Sequence, residues 1–540
     1  MRTHRHPHSA RLHGTLLVAM LVAPLVVAGR AAAQDAPCDD AVRVDRFRYL
    51  RQLSLDLLGR APTQPEFEAL VPETDVDAAQ VDAMLESPEF STFVRRHHRD
   101  LLWPTTDAIE VVNAAVALLL PAAFYEYEGN ADRLFLLFTG LYTRGGLVPC
   151  KDEPAEWDER DTLIFETMPD GTRREGYVMV EPYWAPGTQV KVCALEARIN
   201  PMSDAGLDCG TAQGMTSGGC GCGPNLEHCA SLPVVQDIAA SLQEQLLRMV
   251  EAPINERRPY HEMLTEDTEE LDGPLTHYYR YLAPMAVDPI VLVPPVALDA
   301  LPDLPYTDDS WHRVPRAHDR HSGLLTSLSY LLRFQTDRAR ANRFYNAFLC
   351  QPFVAPPNGL PSPNDACSQQ PNLRERCGCN YCHARLEPAA AYWGRFANAG
   401  SLFLDPEQFP PYQARCAACA RNPDATCDFI CQRFYVSEIG HPDEAPFAGV
   451  LKSYEWRGED EVARVEGGPR GLVQASVESG QLGQCVTRKA FERLYHRPMS
   501  EVEQAADLPR FTAAFVDSGY DFKALVRTLV TDPAYRRMAR

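Results

Sequence analysis

Val44-Asp-Arg-Phe-Arg-Tyr-Leu-Arg-Gln-Leu-Ser-Leu-Asp-Leu-Leu58 carries the pattern that is most informative about the fold of this chain. Apolar residues recur three and four positions apart in it, which is the spacing of the buried face of an α-helix. Gly59 is expected to end this helix, and the capping-box spacing at Thr63 predicts the start of the next one. The same helical period returns at 234–249 and 323–348. The sequence therefore predicts a mainly α-helical fold.

Residues 150–235 depart from this pattern. Two β-rich runs, at 162–168 and 175–183, flank the turn sequence Pro169-Asp-Gly-Thr172. Cys220, Cys222 and Cys229 then lie among glycines, and we expect local disulfides there. In a chain of 540 residues this predicts a multidomain, mainly α protein with a small β-containing, cysteine-rich insertion.

The N-terminal residues predict export. Arginines precede the apolar run 16–28, and Ala31-Ala32-Ala33 supplies a cleavage pattern before Gln34. An uncleaved anchor is the alternative, but Pro24 interrupts the run and a bilayer needs about 20 apolar residues. Seventeen cysteines favour an oxidising compartment, periplasmic or extracellular. The net charge of −21 argues against nucleic acid as a partner.

A second apolar stretch, at 111–141, is interrupted by acidic residues and a proline. It reads as buried helices of a globular domain, so we expect no membrane span in the mature chain.

The chemistry of the chain is indicated by Cys379-Asn-Tyr-Cys382-His383. This is C-x-x-C-H, the attachment motif of c-type haem, in which both thiols add to haem vinyl groups. The adjacent histidine binds the iron from the proximal side. We therefore predict one covalent haem c on Cys379 and Cys382, with His383 as an iron ligand. The alternative is that these cysteines are ordinary disulfide partners and His383 is a surface residue.

The surroundings of the motif resemble a known family. Cys379-Asn-Tyr-Cys-His-Ala-Arg-Leu-Glu-Pro388 is similar to the haem-motif segment of the planctomycete cytochrome C-like proteins, with Glu387 where that family has aspartate. Residues 320–326, 348–358 and 372–376 resemble the segments that precede it, and 53–63 with 84–90 resemble its N-terminal companion domain. Residues 484–497 and 532–537 resemble its C-terminal helical domain. The resemblance implies an exported haem protein and no particular substrate.

The resemblance and the composition together give the predicted domains. They are a signal peptide at 1–33, an N-terminal helical domain at 38–149, the insertion at 150–235, a helical segment with a proline-rich linker at 236–317, a cytochrome c-like domain at 318–478 and a C-terminal helical domain at 479–540. Cys350 and Cys485 lie in two segments that resemble this one family, and we expect them to form a disulfide that joins those segments.

The sixth iron ligand is not evident. No methionine lies between His383 and Met499. His441 is the nearest downstream histidine and a candidate distal ligand, although a turn residue before proline is the simpler interpretation. An open iron is the other alternative, and it would favour peroxidase-like or gas-binding chemistry.

The other cysteines are expected to form disulfides. No histidine follows Cys419, so the second cysteine cluster is not a second haem site. Cys416, Cys419, Cys427 and Cys431 could hold zinc or an iron–sulfur cluster, but local disulfides fit an oxidising compartment better. Fifteen cysteines remain outside the haem motif, so one has no partner within the chain, and Cys38 is the candidate. His97 and His98 are adjacent on a helix and read as part of a polar face.

Three functions remain open. The leading one is an exported c-type haem protein in electron transfer, with a redox partner protein or a small-molecule electron donor or acceptor. The second is a disulfide-stapled exported binding or structural protein without haem. The third is a peroxidase-like haem enzyme, or a haem domain attached to an unrecognised catalytic region in 104–317. The sequence contains no G-x-S-x-G, phosphate-loop or EF-hand motif, so it identifies no catalytic residue.

Overall fold

The computed structural model describes most of the chain. The described residues are 42–70, 75–104, 150–169, 171, 173–203, 205–209, 219–230, 232–283, 296–317, 320–353, 359, 361–398, 401–422 and 424–538. The predictions for the signal peptide at 1–33, for Cys38 and for the apolar stretch at 111–141 concern residues outside these ranges.

Helices predominate, which confirms the predicted mainly α fold. The α-helices are Arg46–Leu53, Gln64–Glu68, Ala78–Glu86, Ser91–Leu102, Leu232–Asn255, Gly273–His277, Leu328–Arg333, Asp337–Phe348, Asn380–Ala390, Ala414–Ala420, Phe429–Phe434, Glu459–Glu478, Gln481–Leu494, Glu501–Asp517 and Phe522–Thr531. None of the described helices has both the length and the apolar character that crossing a bilayer requires.

The N-terminal helices begin and end where local sequence signals place them. The Asp45 carboxylate accepts the backbone N–H groups of Phe47 and Arg48 and so caps the first helix. A π-helical turn at Ser54–Leu58 follows, and Gly59 stops it in the left-handed conformation with φ of 73°. The predicted capping box at Thr63 is present.

The strands form two-stranded antiparallel pairs. Glu166–Thr167 pairs with Arg173–Arg174, Tyr177–Val180 with Val190–Cys193, and Thr268–Leu271 with His312–Pro315. Disulfides join Cys150 to Cys193, Cys209 to Cys220 and Cys222 to Cys229 across the region of the first two pairs. These bonds hold a segment that has little regular structure.

Two compact units are present. Of the described residues, 42–44 and 536–538 belong to one unit, within which Val42–Arg43 pairs with Arg537–Met538. The other is formed by residues 45–535.

The described part of the proline-rich segment is packed against the protein. Val296, Leu301, Tyr306 and Val314 are buried in one apolar cluster with the helix Leu232–Asn255. The strand at His312–Pro315 also belongs to this segment. Residues 296–317 therefore act as a wrapped loop, because their apolar side chains find a buried surface to cover.

The interpretation of His97 and His98 as a polar helix face is wrong. Both side chains are buried, and His98 hydrogen-bonds through Nδ1 to the Val94 carbonyl at 2.7 Å and through Nε2 to the Tyr260 hydroxyl at 2.9 Å. Burial lowers the pKa of His98 to about 4 and places that of His97 well below its ordinary value. The two hydrogen bonds of His98 offset the cost of burying its neutral imidazole.

Candidate cofactor site

The C-x-x-C-H motif lies at the start of the helix Asn380–Ala390, here called the motif helix. Cys379 occupies its N-cap position, and the backbone N–H groups of Cys382 and His383 donate to the Cys379 carbonyl. Gly378 precedes it with φ of 73°, a left-handed turn that suits glycine. Residues three and four positions apart lie on the same face of a helix. The motif therefore presents both sulfurs and the imidazole on one side of the helix.

The two motif cysteines stand apart from the other described cysteines. The other fourteen form seven disulfides, whereas Cys379 and Cys382 take part in none. Cys377, the nearest alternative partner in sequence, bonds instead to Cys367. The motif thus retains two half-buried thiols, which is the form that thioether attachment requires.

The imidazole of His383 is held by its own helix. Nδ1 lies 2.6 Å from Oε1 of Glu387, one turn farther along. A carboxylate can only accept a hydrogen bond, so the proton of the neutral ring lies on Nδ1 and the lone pair on Nε2. The side chain is 20 % exposed. Histidines that bind metals commonly have such an outer carboxylate, which orients the ring and raises its basicity.

Glu387 is in turn fixed by two arginines. Nε of Arg338 donates to Oε1 at 2.6 Å, and Nη2 of Arg457 donates to Oε2 at 3.4 Å. Arg457 also donates through Nη1 to the Glu387 backbone carbonyl. Burial raises the pKa of Glu387, but the hydrogen bond and charge of Arg338, with His383 and Arg457, hold it below its ordinary value. The carboxylate therefore remains ionised beside the imidazole.

A cavity of about 550 Å³ opens beside Glu387. Its wall is strongly charged, with Arg338, Arg374 and Lys452 facing several carboxylates. A haem iron needs an apolar enclosure that controls its redox potential and its access to solvent, and this charged wall does not provide one. The attachment thiols and the histidine fit a c-type haem in their chemistry, whereas the charged wall of this cavity does not fit the apolar face of a porphyrin.

Trp393, which closely follows the motif helix, belongs to the buried core. Its side chain is completely buried, packs near Tyr330 and Phe344, and donates from Nε1 to the Leu325 carbonyl at 3.2 Å. Trp393 ends the 3-10 helix Ala391–Trp393, which directly follows the motif helix.

His441 occupies a turn. It caps the 3-10 helix Pro442–Phe447, its Nδ1 accepts the Asp443 backbone N–H at 3.2 Å, and its side chain is 38 % exposed. His441 is therefore a turn residue before Pro442, which is the simpler of the two interpretations of the sequence. Its role as distal ligand stays a prediction.

The remaining cysteine predictions can be compared directly with the bonds present. The structure contains the predicted bond between Cys350 and Cys485, with the Cα atoms 5.4 Å apart. The second cluster forms two local disulfides, Cys416 with Cys431 and Cys419 with Cys427.

Sequence reasoning missed the supporting residues of the site. Glu387 was seen as a departure from a family pattern, although its position four residues after His383 on a helix is a readable signal. Arg338 and Arg457 have no such signal, because they are 49 and 70 residues away from Glu387 in the chain.

Comparisons with known proteins returned no match to a family model, to a curated protein or to a solved structure.

Proposed function

We propose that the chain is an exported c-type haem protein with a redox function, carrying one haem attached through Cys379 and Cys382 and bound at the iron by His383. The observation that carries this proposal is the selective absence of these two cysteines from the disulfides that occupy every other described cysteine. Haem supplies a one-electron centre when bound. The seven disulfides support an oxidising compartment, where covalent attachment takes place.

The surroundings of His383 support its role as the iron ligand. The hydrogen bond to Glu387 uses Nδ1, so Nε2 is the nitrogen that presents a lone pair. Arg338 and Arg457 keep the carboxylate ionised and in place. The protein part of the site therefore provides attachment, orientation and a basic imidazole before any cofactor arrives.

A second candidate is a peroxidase-like haem enzyme. The ionised carboxylate on Nδ1 favours it, because an electron-rich proximal imidazole stabilises higher oxidation states of iron. Addition of cyanide to the oxidised protein separates the two functions. A rapid spectral change indicates an open iron position, and an unchanged spectrum indicates a six-coordinate electron carrier.

Covalent haem is tested on the exported full-length protein, produced in a host with a c-type haem maturation system. A haem stain after denaturing electrophoresis and the pyridine haemochrome spectrum should show one haem on two thioethers. The Cys379→Ser/Cys382→Ser variant should show none. An unstained wild-type band under these conditions would overturn the proposal and leave the disulfide-stapled binding protein.

Thiol labelling gives an independent measurement. In protein made without haem, iodoacetamide should modify Cys379 and Cys382 without prior reduction, and haem loading should block both positions. Peptide mapping separates these adducts from any at Cys38, which lies outside the described residues. A Cys379–Cys382 disulfide in the haem-free protein would indicate a dithiol redox function instead.

A further inference from the structure

We propose that a surface on one side of the motif helix docks an acidic electron-transfer protein. This surface, here called the arginine–tyrosine surface, is formed by Tyr345, Phe353, Tyr381, Arg385, Tyr392 and Arg464. Tyr381 and Arg385 are four residues apart on the motif helix, so they share one side of it. The inference rests on the proposed function, since it names the class of protein that exchanges electrons at that site.

Direct contacts join these residues into one surface. The guanidinium of Arg385 lies 5.2 Å from the ring centroid of Phe353, and the ring centroids of Phe353 and Tyr345 are 5.4 Å apart. The guanidinium of Arg464 lies 5.8 Å from the ring centroid of Tyr392. Burial and the neighbouring Tyr392 raise the pKa of Tyr345, and the charges of Arg464 and Arg385 oppose this rise. Both guanidinium groups are therefore close to the same phenol.

The two arginines of this surface carry charges that no carboxylate balances. Arg385 donates from Nη2 to the side-chain oxygen of Gln351 at 3.2 Å, and Arg464 donates from Nη1 to the Pro388 carbonyl at 3.2 Å. Among the described residues, neither arginine has an ion-pair partner. Glu387, also on the motif helix, is buried and already paired with two other arginines. The surface therefore has two positive charges in a chain whose net charge is −21.

The residue types of this surface are those that dominate protein–protein binding. Tyrosine and arginine are enriched at interface hot spots, where large flat groups pack and polar atoms at their edges find partners. Tyr381 is 56 % exposed between the two motif cysteines, and Arg385 is exposed one turn later. A protein that covers both residues removes apolar ring area from water and contacts the helix that carries the motif.

The distribution of charge selects an acidic partner. Complementary potentials steer a partner into one docking orientation. The net charge of −21 repels an acidic protein from the chain as a whole, whereas Arg385 and Arg464 can each bind a carboxylate through two N–H groups. A nucleic acid carries a charge on every nucleotide, and two arginines neutralise too few of these charges for stable binding.

Reduced flavodoxin, a small acidic electron-transfer protein, tests the proposal on the haem-loaded full-length protein. In the measured reaction one electron passes from the reduced flavin to the oxidised protein. The second-order rate constant should fall at least fivefold between about 20 mM and about 300 mM salt, because salt screens the attraction at the docking surface. A rate constant that rises with salt would overturn the proposal, since repulsion by the net charge would then dominate. Tighter calorimetric binding of a DNA oligonucleotide than of flavodoxin would also overturn it.

Matched variants locate the contact. Arg385→Gln/Arg464→Gln should slow the reduction at least fivefold at low salt. Arg51→Gln/Arg421→Gln removes the same charge from two exposed arginines elsewhere and should change the rate less than twofold. Thermal unfolding and the haem stain check that each variant is folded and loaded. Equal slowing in the two double variants would contradict a local contact, because it would show an effect of net charge alone.

The haem-free protein separates a failure of this surface from a failure of the proposed function. An unstained wild-type band contradicts the haem proposal, and calorimetric titration of that protein with oxidised flavodoxin then tests the surface by itself. Salt-sensitive binding that Arg385→Gln/Arg464→Gln abolishes would support the docking surface. Absent binding, or binding unchanged in this variant, would overturn it. A stained protein whose reduction rate rises with salt contradicts the docking surface alone.

Discussion

The chain contains two C-x-x-C pairs on helices, and only one of the pairs forms disulfides. Cys379 and Cys382 begin the motif helix and form no disulfide. Cys416 and Cys419 lie on the helix Ala414–Ala420, and both are bonded. The spacing is identical, and so is the helical geometry that turns both sulfurs to one side. Spacing alone therefore does not decide what a cysteine pair does.

The two pairs differ in bonding because different residues lie next to each of them. Cys427 and Cys431 face the second pair, with Cα separations of 5.6 and 5.2 Å, and Asp428 caps the helix that carries Cys431. The first pair is followed by His383 and an ordered carboxylate, whereas Ala420 follows the second. A disulfide needs a sulfur at bonding distance, and a haem site needs a nitrogen ligand beside two thiols.

The largest expected effect is the loss of haem from one pair alone. Cys379→Ser/Cys382→Ser should abolish covalent haem, because no thiol remains to form a thioether. Cys416→Ser/Cys431→Ser should retain a full haem content while losing about 3 kcal/mol of unfolding free energy in the chain-entropy model. The pyridine haemochrome assay measures the first quantity and denaturant unfolding the second. Equal haem loss in both variants would contradict the assignment of haem to the first pair alone.

The disulfides should contribute different amounts to the free energy of unfolding, according to the length of the loop that each one closes. Cys350–Cys485 spans 135 residues and Cys419–Cys427 spans 8. The chain-entropy model gives about 5 kcal/mol for the long loop and about 2.5 kcal/mol for the short one. Paired alanine variants compared by denaturant unfolding should show this order. A larger loss from the short loop would point to strain or packing as the controlling term.

Glu387 should set the electron affinity of the first site. Glu387→Gln removes the negative charge next to His383 and should raise the reduction potential by about 60 mV, the equivalent of a tenfold change for one electron. Glu387→Asp keeps the charge and should shift the potential less. Spectroelectrochemical titration measures both variants. Identical potentials for Glu387→Gln and wild type would show that the hydrogen bond does not reach the iron.

The smallest expected effect tests whether the motif is sufficient. Ala420→His converts the second pair into C-x-x-C-H, yet haem content should remain one per chain, since Cys416 and Cys419 are held in disulfides. The haemochrome assay with mass mapping of the stained peptide gives the answer. A second haem at this helix would show that sequence overrides the local bonding partners.

Local signals in the sequence predicted those features of the fold that depend on adjacent residues. The helix end at Gly59, the capping box at Thr63 and the face shared by the motif residues all follow from neighbouring positions. The tertiary surroundings of a residue could not be predicted from neighbouring positions in this way. His97 and His98 have polar side chains but are buried against a distant helical segment, and Trp393 is buried against Tyr330 and Phe344, which are distant in the chain. Contacts across many residues decide such positions, and periodicity does not encode them.

The Cys350–Cys485 bond closes a covalent ring around the motif helix and the second cysteine pair. A protease that cuts the backbone once between residues 351 and 484 cannot release either piece, since the two ends stay linked through sulfur. The clipped protein would migrate as one species until it is reduced and would then separate into two. This ring keeps the proposed redox centre attached to the rest of the chain after such a cut.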